Sequence, residues 1–116
     1  MVPFKWNSDL AQVAKEHVED IGPRGLIQHD SSNGKSVKER FRKYGKFIGC
    51  YGESLAFNCE TAEEILCQLI IDDGQPERGD RQNIFNKDFK VFSCFTGSHR
   101  DCEFMTCLDF AGGFVK

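Results

Sequence analysis

Glu53 stands inside YGESLAF, residues 51–57, among aromatic and aliphatic side chains. An unpaired carboxylate in a core is strongly disfavoured, so Glu53 must face solvent or meet a partner. His29 is a candidate partner. It follows the apolar pair Leu26-Ile27 on a loop, close to the core yet outside any regular apolar face. A histidine beside a half-buried carboxylate forms a stable pair, and such a pair is also an acid/base or metal site. Spacing alone does not bring the two together. His17 falls one turn beyond Val13 and Ala14 on an apolar face, which suits a packed core histidine. His99 falls in a hairpin tip, where solvent exposure is expected. Ser54 approaches the G-x-S-x-G nucleophile pattern, but Ala56 replaces the last glycine and no helix follows at once, so nucleophilic catalysis is set aside.

Six cysteines stand at positions 50, 59, 67, 94, 102 and 107, none in C-x-x-C spacing. An even number in a small domain suggests disulfides and an oxidising compartment; buried free thiols are the alternative. The segment KSVKERFRKYGK carries Lys35, Lys38, Arg40, Arg42, Lys43 and Lys46, whereas residues 47–80 hold eight acidic residues and only Arg78. Such a basic helix is either a solvated face or a patch for anionic lipid headgroups or sulfated glycans. In the second case Lys38, Arg42 and Lys43 supply charge, with Phe41 and Tyr44 supplying apolar contact.

The elements that position these residues are legible from capping and periodicity. A first helix opens at Asn7 or Ser8, places Leu10, Val13, Ala14 and Val18 on one face and ends at Gly22-Pro23. A second opens with a capping box, Ser36 with Glu39, and stops at Gly45. A third opens with Thr61 and Glu64, and its body, ILCQLII, is apolar on more than one face. Strands are expected in GESLAF, FKVFSCF and FMTCLDF, the last two forming a hairpin. A turn centred near Arg100–Asp101 would set Cys94 opposite Cys107, making that pair the favoured disulfide. Helices followed by strands point to an α+β fold layered around one antiparallel sheet.

The bulk composition bounds the function. A chain of 116 residues with 40% hydrophobic content is one globular domain. A net charge of −3 argues against a general nucleic-acid binder, and no apolar run is long enough for a membrane span.

Five ordered segments, FKWNSDLAQVAKEHVEDIG, HDSSNGKSVKERFRKYG, GESLAF, GDRQNIFNKDFKVFSCFTGSH and FMTCLDFAGGF, together resemble the CAP superfamily. That superfamily includes the cysteine-rich secretory proteins, antigen 5 and the pathogenesis-related plant proteins, and the pattern is most similar to its microbial and protist-like branch. The resemblance implies a single CAP (SCP-like) domain over residues 1–116, folded as a three-layer α–β–α sandwich around a small antiparallel sheet. It also implies a cleft tetrad of two histidines and two acids. His29 matches the first histidine and Glu53 the glutamate. Asp73, or Asp72 beside it, matches the second acid. Asp80 stands in GDRQNI where the family carries its second histidine. One imidazole with three carboxylates is an oxygen-rich set that suits Ca²⁺ or Mg²⁺ rather than Zn²⁺, or no metal. The resemblance further implies a secreted, extracellular domain that binds a lipid or sterol, a glycan or a protein. Cleft hydrolysis with Glu53 as base and a structural role in a larger assembly are the alternatives. The family's first helix has no counterpart before residue 3, which leaves a sheet face for an assembly partner to cover.

Overall fold

The computed structural model describes residues 5–59, 61–65 and 88–116. Helix α1 spans Ser8–Ile21 and buries the stripe Leu10, Val13, Ala14, His17, Val18 and Ile21. Asn7 caps it with both ends of its side chain. Its oxygen accepts from the Leu10 amide at 2.8 Å, and its amide donates to the Phe114 carbonyl at 3.1 Å. Helix α2 spans Val37–Tyr44, with the complete capping box of Ser36 and Glu39 at its start and Gly45 at its end. Residues 62–65 are helical, and Thr61 accepts from the Glu64 amide at 3.2 Å. The rest of the expected third helix lies outside the described residues.

Three long strands form the centre: β3 (Tyr51–Phe57), β4 (Val91–Ser98) and β5 (Phe104–Ala111). Both β3 and β4 pair antiparallel with β5, and the short β1 (Lys5–Trp6) joins the free edge of β4 in parallel. The order is β1-β4-β5-β3; β2 (Lys46–Phe47) and β6 (Phe114–Val115) form a separate two-stranded ladder. Strand β5 is central and buried from Met105 to Ala111, so it reads as a continuous run rather than an alternation.

Helix α1 covers the sheet face that carries Met105 and Cys107. Gly97 makes that approach possible, since a Cβ there would lie 2.7 Å from Val18 Cγ1. The opposite face gathers Ala56, Cys59, Phe89, Leu108 and Phe110, with Cys50 and Cys94 packed alongside.

The hairpin register corrects the expected disulfide. Cys94 pairs with Leu108 and Phe95 with Cys107, one residue away from the expected alignment. A one-residue slip turns a side chain to the other face of the sheet, so Cys94 and Cys107 pack in different clusters and both are free thiols. His99 causes the slip. Its Nδ1 accepts from the Asp101 and Cys102 amides, lengthening the turn, and its Nε2 donates to the Leu26 carbonyl at 3.0 Å. His99 is therefore buried, 5% exposed, and not at a solvent-facing tip.

Candidate functional site

Register places Glu53 of β3 directly opposite Asp109 of β5, and Cys107 lies two residues along the same face. Helix α2 crosses above them. Its apolar stripe of Val37, Phe41 and Tyr44 also contains Arg40, so packing Phe41 into the core carries Arg40 inward as well. Arg40 Nη2 donates to Glu53 Oε2 at 2.5 Å, and Arg40 Nε donates to the His29 carbonyl at 3.0 Å. His29 Nδ1 lies 2.7 Å from the same Glu53 oxygen, while Cys107 Sγ donates to Glu53 Oε1 at 3.1 Å. The Glu53 side chain is 1% exposed, Arg40 6% and His29 50%. Glu53 is thus the buried hub, and His29 is the member that reaches solvent.

Burial alone would raise the Glu53 pKa. The His29 hydrogen bond, the adjacent Asp109 carboxyl and the Arg40 guanidinium outweigh it and hold Glu53 well below the usual carboxylate range. The opposite happens at Asp109, where full burial and the Glu53 charge push the pKa well above its ordinary value. Two carboxyls facing each other across one register position therefore split into an ionised and a protonated member. Burial and the two acids also push the Cys107 thiol up, so it is an inert donor rather than a nucleophile.

The donor atoms of Glu53, Cys107 and Asp109 lie within 4.8 Å of one another. They do not fit a cation, because the Arg40 guanidinium already supplies the positive charge at Glu53 and two of the three groups hold protons. Asp72, Asp73 and Asp80 lie outside the described residues.

Sequence comparison decides the family. A model of the cysteine-rich secretory protein family, CAP, matches residues 1–109. The chain belongs to the CAP family. Among curated proteins no sequence matches it. Two solved structures share the fold. An outer surface protein from Borrelia burgdorferi superposes with a TM-score of 0.76 at 19% identity, covering 93% of this chain and 76% of that one. An extracellular protein from Bacillus anthracis containing a SCP domain gives 0.72 at 22% identity. That match covers 95% of this chain and 34% of the Bacillus chain. Both are α–β–α sandwiches, the architecture of this CAP domain.

Within the CAP domain the basic helix divides in two. Arg40 belongs to the core, and Phe41, 0% exposed, has no surface to offer a ligand. Lys38, Arg42 and Lys43 are exposed, but Lys43 pairs with Glu16 at 3.0 Å and Arg42 lies over the Phe47 ring. Tyr44 donates its hydroxyl to Glu16, leaving only its ring edge at the surface. Sequence reasoning missed Arg40, Cys107 and Asp109 as members of the Glu53 cluster. The signal for Arg40 was its place three residues after Val37 and four before Tyr44. Asp109 gave a weaker one, a lone acid in an otherwise apolar strand.

Proposed function

We propose that this CAP domain works outside the cell as a binding module and that Glu53 anchors its fold rather than driving hydrolysis. The observation that carries the reading is the pinning of Glu53 by Arg40 and His29 at 1% side-chain exposure. A general base works best with a pKa near the operating pH, and Glu53 is held far below that. The extracellular setting is supported by family membership and by the printed descriptions of the two neighbours, one an outer surface protein and one extracellular. No helix among the described residues is long and apolar enough to cross a membrane. Lys38 and Arg42 remain at the surface to meet an anionic lipid or glycan, and His29 presents the polar edge of the Glu53 cluster to a ligand.

The test is an assay of the purified chain against ester and peptide substrates, beside Glu53→Gln. The expected result is no turnover above the uncatalysed rate in either protein. Turnover by the parent, lost at least about 100-fold in a Glu53→Gln protein that melts normally, would establish the hydrolase reading instead.

A further inference from the structure

A second cleft of about 560 Å³ opens between α1, α2 and the loop of residues 31–35, and neither His29 nor Glu53 lines it. Gly34, at φ +88°, lets this loop fold back so that Ser31 and Lys35 exchange hydrogen bonds. His17 and Arg40 line the cleft, 1% and 6% exposed, while Ser32, Asn33, Lys35 and Arg42 stand around them. Its three acidic residues are engaged. Glu16 takes Lys43 and Tyr44, Asp20 accepts from the amide and hydroxyl of Ser32, and Glu39 accepts from Ser36.

Two buried polar atoms remain without a partner among the described residues, Arg40 Nη1 and His17 Nδ1. They have opposite hydrogen-bonding sense. Arg40 Nη1 is a charged donor whose neighbours Nη2 and Nε already serve Glu53 and the His29 carbonyl. His17 donates through Nε2 to the Gln28 carbonyl at 2.8 Å, and burial lowers its pKa and keeps it neutral, so Nδ1 carries a lone pair. Lys35 makes no ion pair among the described residues. A bare anion would answer Arg40 and leave His17 without a donor. A neutral polyol would answer His17 and leave the guanidinium edge without a counter-charge.

We propose that this cleft binds a hydroxylated carboxylate of the sugar-acid class, its oxyanion toward Arg40 with Lys35 adding attraction, and a hydroxyl donating to His17 Nδ1. The volume falls within the range of small-molecule sites, roughly 300–1,000 Å³. Ser32 and Asn33 add the hydroxyl and amide groups that a sugar ring meets. Both unpartnered atoms are shut off from bulk solvent, so the ligand must reach inward past the rim. The proposal is separable from the role of Glu53, since a hydrolase could carry the same cleft.

Titration calorimetry on the full chain at pH 7 tests it with three probes: D-glucuronate, acetate and D-glucose. Glucuronate is expected to bind at least tenfold more tightly than either of the others. His17→Phe should remove that advantage, and Lys35→Glu, a change at an exposed rim position, should weaken glucuronate severalfold without altering the fold. A hyaluronan tetrasaccharide separates the sources: tighter binding than glucuronate indicates a polymer, and equal binding a free sugar acid. Glucuronate binding no tighter than acetate would overturn the proposal. So would full glucuronate affinity in folded Lys35→Glu protein, and this second variant decides the matter if His17→Phe fails to fold.

Discussion

Arg40 stays charged at any pH a protein survives, so its burial beside Glu53 sets the charge of every group around it. One guanidinium cancels one carboxylate, and the next carboxyl, Asp109, must take up a proton to remain buried. The sign of the resulting pH dependence follows. A group whose pKa is raised on folding contributes stability that is complete below its unfolded value, near 3.8 for Asp109, and is lost as pH rises through the folded value. Asp109→Asn keeps the neutral form at every pH. Denaturant unfolding from pH 5 to pH 8 should therefore show the parent losing stability relative to the variant, by up to about 1.4 kcal/mol per pH unit. Parallel curves would mean that Asp109 is ionised in the folded protein. At this scale sequence alone brought Glu53 and His29 under suspicion, because a carboxylate in an apolar strand demands a partner. It misassigned Arg40, since a basic residue among five others on a short helix reads as surface until the packing of Phe41 shows which way the helix faces.

The capping boxes, the Asn7 cap and the glycine stops were legible because they depend on neighbours within four residues. Register was not. The Val91–Ser98 and Phe104–Ala111 hairpin is set one residue off the expected alignment by His99, whose side chain bonds two turn amides and a carbonyl 73 residues away in sequence. Strands β1, β2 and β6 are two residues each and carry no periodic signal. Contact between α1 and the sheet yields a prediction of its own. Gly97→Ala should destabilise by about 1–3 kcal/mol through overpacking against Val18, and Val18→Ala in the same chain should recover part of that loss. Thermal melts of the two single variants and the double variant check this. Additive losses would show that α1 does not sit against Gly97.

For the whole molecule, the polar cluster under α2 and the apolar cores on the two sheet faces do different work. The cores supply the burial that drives folding, whereas the cluster ties α2 and the His29 loop to β3 and β5 through one carboxylate. A buried ion pair is a weak source of net stability, yet breaking one partner strands the other charge and costs about 3–5 kcal/mol. Glu53 as an anchor therefore predicts a particular pattern of coupling. The most direct measurement is a double-mutant cycle by denaturant unfolding at pH 7, with Arg40→Met, Glu53→Gln and the two combined. Each single change should lose about 3–5 kcal/mol, and the double variant should lose at least about 2 kcal/mol less than their sum, because neither charge is then stranded. Losses that add to within about 0.5 kcal/mol would contradict the account, since Arg40 and Glu53 would then not depend on each other.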